Sequence, residues 1–114
     1  MKYTIKYSLP YDIYRYRMDA KDEEQLGSFI KMLVEEKAHG IEVVPEYVWW
    51  GNEVEDDKIL ITWKTKLDDG YIDKRQIECN YERTAHFLYD TLAALDKTVS
   101  IEMGVLNEWI KNID

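Results

Sequence analysis

The chain has few of the residues that cross-link or bend a backbone. Its 114 residues include one cysteine, two prolines and five glycines. Because Cys79 stands alone, an internal disulfide is excluded and an oxidising compartment is not indicated. The glycines are scattered singly, which excludes a phosphate-binding loop and a dinucleotide-binding fingerprint, since both need several glycines in a short stretch.

Long apolar runs are also missing. No stretch approaches the roughly 18 consecutive apolar residues of a membrane span. The first six residues alternate apolar with polar side chains, unlike the apolar core of a signal peptide. We therefore expect a cytoplasmic protein without membrane contact. The length and the 46% hydrophobic content are typical of a single globular domain covering residues 1–114.

Residues arranged for catalysis or metal binding are equally scarce. The two histidines, His39 and His86, are far apart in sequence, and no Cys-x-x-Cys pair is present. None of the three serines stands between two glycines, and none has a histidine nearby in sequence. The sequence therefore predicts a protein that is not an enzyme and that binds neither a metal ion nor a cofactor.

Acidic residues, in contrast, are abundant and unevenly spread. The net charge is −8, and residues 19–57 alone hold twelve acids against three lysines. Such a surface would repel nucleic acid, whose binding depends on neutralising phosphates, and would attract a basic protein. Solubility alone is the simpler explanation, since many small soluble proteins are acidic.

Tyrosine and tryptophan are the second enriched group, with nine and four copies. Both combine a large apolar body with a polar tip, a combination common at protein interfaces. Trp49 and Trp50 are adjacent, so on a strand they would point to opposite faces. One of them, Trp50 or Trp49, would then be exposed beside the acidic stretch 51–57, and our hypothesis uses Trp50. The alternative is that helices cover both faces there and both rings lie in the core. Trp63 follows the phase of its apolar neighbours and is expected in the core.

Hydrophobic periodicity predicts an α+β fold: an antiparallel sheet of five to six strands, two main helices on one face and a short C-terminal helix. We expect a hairpin over residues 3–18, a helix over 20–39 capped by Asp19, and strands over 41–50, 59–67 and 71–79. A second helix begins after Asn80, followed by a strand over 99–103, a break at Gly104 and the terminal helix. Pro45 predicts an edge or bulged strand. No internal repeat is apparent.

These features favour a non-enzymatic protein that occupies the basic, nucleic-acid-binding surface of a partner enzyme. Phage inhibitors of the anti-CRISPR or anti-restriction type, and immunity proteins against nuclease toxins, have this size and composition, although no motif assigns the chain to either. Carboxylates would take the place of phosphates, and an exposed aromatic would anchor the contact. The candidate contact residues are Trp50, Glu53, Glu55, Asp56 and Asp57, with a second patch at Asp22, Glu23 and Glu24.

Two alternatives come from other classes of protein. A pocket lined by tyrosine, tryptophan and arginine could bind a nucleotide-like ligand. The residues that would form it are Tyr14, Arg15, Tyr16, Arg17 and Arg83. A structural role is the other alternative, in which the strand containing Pro45 would form an edge for self-association. The oligomeric state is left open between monomer and homodimer.

Overall fold

A computed structural model describes residues 2–46 and 58–105, which form six strands and two helices. In chain order these are β1 (Lys2–Ser8), β2 (Arg15–Ala20), α1 (Glu23–Glu35), β3 (His39–Glu46), β4 (Ile59–Lys66), β5 (Ile72–Cys79), α2 (Glu82–Ala93) and β6 (Thr98–Val105). The predicted C-terminal helix falls on residues beyond Val105, and the second half of the predicted strand 41–50 falls within 47–57. Both lie outside the described residues.

The six described strands form one mixed sheet in the order β2-β1-β3-β5-β4-β6. Our prediction of a purely antiparallel sheet is wrong, because β3 and β5 pair in parallel, with Ile41 opposite Ile77 and Val43 opposite Cys79. Side chains alternate with a period of two in both kinds of pairing, so the sequence pattern does not distinguish them. The parallel pair is possible because α1 returns the chain to the end of the sheet where β2 began.

The fold consists of two ββαβ units with the same topology. In the first unit β1 pairs with β2 on one side and β3 on the other, and in the second β4 pairs with β5 and β6 in the same way. Even the register repeats: Ile5 lies opposite Met18 and Val43, and Ile61 lies opposite Ile77 and Met103. The internal repeat that the sequence did not reveal is therefore present in the structure.

Both helices pack on one face of the sheet. Buried side chains of β1, β3, β4 and β5 join those of α1 and α2 in a single hydrophobic cluster. On α1 the buried positions Leu26, Ile30 and Leu33 follow helical spacing. Trp63 is 1% exposed and lies in this cluster, as expected from its phase. The opposite face of the sheet carries mostly polar side chains and is not covered by either helix.

The first helix begins three residues later than predicted. Asp22, rather than Asp19, is its N-cap, and its carboxylate accepts a hydrogen bond from the backbone N–H of Gln25 at 2.8 Å. Asp19 instead lies in β2, opposite Thr4. A capping carboxylate must reach the free N–H groups of the first turn. The pattern Asp-x-x-Gln at 22–25 meets that requirement, whereas Asp19 is still in extended backbone.

Two further strand predictions can be compared with the structure. The strand containing Pro45 is interior rather than at an edge, because β3 lies between β1 and β5. The alternative of a bulged strand agrees with the shift in the β1–β3 register between Lys6 and Ser8, at the other end of β3 from Pro45. The parallel register ends at Val43–Cys79, so β5 has already ended at the level of Pro45 and needs no N–H donor there. Gly104 does not break β6, since it remains paired with Leu60.

Candidate functional site

One end of the sheet gathers the starts of both helices. We call it the helix-start end; it contains the first residues of β1, α1, β4 and α2 and the last residues of β2, β3, β5 and β6. The opposite end, with the β1–β2 and β4–β5 loops and the last turns of both helices, is the hairpin end. Glu46 and Lys58, which flank residues 47–57, both lie at the helix-start end.

A polar cluster ties the two repeats together at the helix-start end. The phenol of Tyr3 donates a hydrogen bond to Oε1 of Glu23 at 3.3 Å, and Nε of Arg83 lies 3.8 Å from the same oxygen. Burial raises the pKa of Tyr3, and the neighbouring Glu23 carboxylate raises it further. Glu23 therefore joins β1, α1 and α2, and its carboxylate has partners inside the molecule.

The three acids predicted as a second contact patch thus have different roles. Asp22 caps α1 and Glu23 contacts Tyr3 and Arg83. Glu24 is exposed, and within the described parts of the chain it forms no ion pair. Of the three, Glu24 is the side chain that can meet a partner without losing an internal contact. Trp50, Glu53, Glu55, Asp56 and Asp57 lie outside the described residues.

Negative charge is in excess at the helix-start end. Seven acids occupy it against four bases, whereas the remaining described residues hold ten acids against ten bases. The seven acids are Asp19, Asp22, Glu23, Glu24, Glu46, Glu78 and Glu82, and the four bases are Lys2, Lys21, Lys58 and Arg83. Acidic residues in the first turn of a helix also interact favourably with its dipole, so part of the excess stabilises α1 and α2 themselves.

Residues suggested for a small-ligand pocket do not converge. Arg83 lies at the helix-start end, whereas Tyr14 and Arg15 lie at the hairpin end, across the length of the sheet. Arg17 is on the face of the sheet opposite the helices, with its Nε 3.4 Å from Asp19. Tyr16 stacks on Tyr7, with ring centroids 5.5 Å apart.

Tyr16 and Arg15 are instead held by neighbours in the first repeat. The Tyr16 phenol donates to the carboxylate of Asp12 in the β1–β2 loop, a contact that raises its pKa. Arg15 donates to Oγ of Ser8 at 3.1 Å and pairs with Glu42 at 3.3 Å. Its guanidinium lies over Gly40, where a β carbon would be 2.9 Å from Nη1. Both side chains therefore stabilise the local fold.

A cleft of about 520 Å³ opens at the hairpin end between the last turns of the helices and the β4–β5 loop. Arg75 of β5 lies at its floor with 8% of its side chain exposed. Its guanidinium donates to the carbonyls of Val34, at 2.8 Å, and Ala38, and lies 5.6 Å from the centre of the Trp63 ring. Burial lowers its pKa. We did not predict this residue, although it follows the inward phase of Ile77 and Cys79.

The charges around this cleft cancel. Its lining contains four acids and four bases, and Lys97 pairs with Asp68 at 3.0 Å. Arg75 directs Nη1 and Nη2 at backbone carbonyls, its Nε lies 4.0 Å from Asp73, and only 8% of its side chain is exposed, so little of the guanidinium is accessible to an anionic ligand. The cleft is therefore better explained by helix termination than by ligand binding.

Groups that could support catalysis are not assembled in the described part of the chain. No set of three histidine, cysteine or carboxylate side chains there has the geometry of a metal site. Cys79 is buried, and burial raises the pKa of its thiol to about 11, so it is a poor nucleophile near neutral pH. Across residues 2–46 and 58–105, no helix is both long and apolar enough to span a membrane.

The geometry defines a two-layer α+β protein built from tandem ββαβ units, with an acidic end where its helices begin. Comparisons with protein-family models, with curated proteins and with solved structures found no match for the chain.

Proposed function

We propose that the protein is a non-enzymatic binding protein that uses its helix-start end to occupy a basic, nucleic-acid-binding surface of a partner enzyme. The observation that supports this is the unequal distribution of charge. The described residues away from this end are nearly neutral, and the excess of acids is concentrated where the helices begin.

The position of residues 47–57 strengthens the proposal. This stretch of eleven residues contains four acids, Glu53, Glu55, Asp56 and Asp57, and no base. It connects Glu46 to Lys58, both of which lie at the helix-start end. The two acidic groups chosen from the sequence are therefore connected to the same end of the molecule. A combined negative surface would speed encounter with a cationic partner and repel free nucleic acid.

Within this surface we assign Glu24, Glu53, Glu55, Asp56 and Asp57 to partner contact, with Trp50 as the apolar anchor. Asp22 and Glu23 contribute to the local field but keep their contacts within the fold. Desolvated aromatic side chains surrounded by charged groups dominate many interfaces, so Trp50 should carry more binding energy than any single carboxylate.

The experiment is a charge reversal at both acidic groups. Glu24, Glu55, Asp56 and Asp57 are changed to lysine, and the wild type and the variant are immobilised and exposed to host lysate. We expect the wild type to retain a basic nucleic-acid-binding protein that is released by added salt or by duplex DNA. The variant should lose this retention at least tenfold while its circular dichroism spectrum is unchanged.

The matched control carries the same change of charge at the hairpin end. Glu35, Glu36, Asp90 and Asp96 are exposed there, and their reversal to lysine should leave retention within about twofold. Equal loss in both variants would mean that net charge, and not this surface, determines binding. Retention that resists both DNA and salt would contradict the proposed competition with nucleic acid.

A further inference from the structure

The tandem repeat leaves two different unpaired sheet edges. Within the described residues, β2 pairs only with β1 and β6 pairs only with β4. β2 and β5 are the second strands of their ββαβ units, and β3 and β6 are the third strands. Inside the molecule, the third strand of one unit, β3, pairs with the second strand of the other, β5. The two edges therefore match the two sides of an interface that this fold already forms.

The internal junction defines the register that such an interface would have. Ile41, Glu42 and Val43 of β3 lie opposite Ile77, Glu78 and Cys79 of β5. Because the two units share their registers, the three β3 residues correspond to Ile101, Glu102 and Met103 of β6. In the same way, the three β5 residues correspond to Met18, Asp19 and Ala20 of β2.

Over Ile101–Met103, edge strand β6 has little protection against pairing, because the shift in its register with β4 lies before this segment, between Thr98 and Ser100. Its sequence contains one charged residue, Glu102, and no proline. Natural edge strands are commonly blunted by lysine, proline or bulges to prevent association. Val99, on the same strand, is 57% exposed, so an apolar side chain is available beside this edge.

We propose that β6 of one copy of this chain pairs in parallel with β2 of a second copy, continuing the sheet with the register of the β3–β5 junction. Met18, Asp19 and Ala20 of one copy would then lie opposite Ile101, Glu102 and Met103 of the next. The contact joins unlike edges and leaves one edge of each kind free, so further copies can add. This inference does not depend on the proposed function.

The charges at the predicted contact resemble those of the internal junction. Asp19 would lie opposite Glu102, just as Glu42 lies opposite Glu78. Inside the molecule the paired acids are relieved by Arg15, 3.3 Å from Glu42, and Lys58, 3.4 Å from Glu78. Arg17 lies 3.4 Å from Asp19, and Lys64 is the diagonal neighbour of Glu102 on the adjacent strand. A basic side chain is therefore available beside each of the two acids, Asp19 and Glu102, that would lie opposite each other.

The test uses two single variants, Asp19→Cys and Glu102→Cys, each on the full chain and one carrying a mass tag. Neighbouring positions of paired strands are within the range of Cα distances that a disulfide spans. Native Cys79 is buried and should not compete. Under mild oxidation, we expect a mixed dimer when the two variants are combined, and at least tenfold less dimer when either variant is oxidised alone.

The matched control is Arg17→Cys combined with Glu102→Cys, which is two residues out of register on the same face. It should cross-link at least fivefold less. Untagged wild type should show a weight-average mass that rises with concentration during sedimentation. The proposal is overturned by a wild type that stays monomeric throughout, by equal cross-linking of the control pair, or by dimers formed mainly within a single variant.

Discussion

Arg75 is the residue on which the end of α1 depends. No basic residue occupies the last turn of this helix, and the guanidinium of Arg75 reaches across from β5 to bind the carbonyls of Val34 and Ala38. Helix ends leave carbonyls without partners, and a cation near them interacts favourably with the helix dipole. The planar guanidinium also lies near the face of Trp63, which partly offsets the cost of burying a charge.

Replacing Arg75 with methionine should lower the free energy of unfolding by about 2–4 kcal/mol, because two buried carbonyls lose charge-assisted hydrogen bonds. Arg75→Lys should recover part of the loss, since it retains the charge but not the fork of donors. Urea unfolding at neutral pH measures both values.

The neighbouring Lys74 provides the control. It is exposed, lies opposite Lys64 and forms no ion pair with any described residue. Lys74→Met should change stability by less than about 0.5 kcal/mol. A loss at Arg75 no larger than the loss at Lys74 would show that the hydrogen bonds to α1 contribute nothing.

At the scale of single elements, the sequence predicted most of what the structure contains. Alternation in Tyr3, Ile5 and Tyr7 identified β1, and the spacing of Leu26, Ile30 and Leu33 identified α1. The start of α1 was misplaced because several acids precede it and each has the chemistry of a cap. The acid that caps α1 is the one that follows the end of β2. Pairing of Ala20 with Tyr3 of β1 sets where β2 ends, and local sequence does not encode this pairing.

This correction can be measured. Asp22→Ala should lower the free energy of unfolding by about 1 kcal/mol, since α1 loses its N-cap hydrogen bond. Asp19→Ala removes one acid from the same end and breaks two exposed contacts, an ion pair with Arg17 and a hydrogen bond from the hydroxyl of Thr4. It should cost less than about 0.5 kcal/mol. Equal losses from thermal or urea unfolding would contradict the assignment of Asp22 as the cap.

At the scale of the whole molecule, the sequence predicted the fold class but neither the repeat nor the strand order. Many equivalent positions hold different residues, such as Tyr3 and Ile59 or Ala20 and Cys79, so the two halves share burial while sharing few identities. Chain direction within the sheet depends on the crossings by α1 and α2. The acidic helix-start end shows the same limit. The charges can be read from the sequence, whereas their position depends on the topology, which brings Glu46 and Lys58, on either side of 47–57, to the end of the sheet where both helices begin.

The two repeats should nevertheless unfold as one unit, although within the sheet they are joined by three parallel residue pairs between β3 and β5. Side chains from both repeats belong to one buried cluster. The ring of Phe87 packs against α1 at Gly27, where a β carbon would lie 3.4 Å from it. Glu23 and Arg83 also lie 3.8 Å apart across the boundary. Separating the halves would expose a continuous apolar layer, so neither half should remain folded without the other.

Equivalent substitutions in the two repeats test this cooperativity. Ile5 and Ile61 are fully buried at matching positions, and Ile5→Val or Ile61→Val should each lower the free energy of unfolding by about 1 kcal/mol. Native-state hydrogen exchange then reports each strand separately, because the most protected amides exchange through global opening. We expect Ile5→Val to reduce the protection of β1 and β4 by the same amount. Ile61→Val should also reduce the protection of both strands equally. A loss confined to the substituted repeat would mean that the units fold independently and that the shared cluster does not couple them.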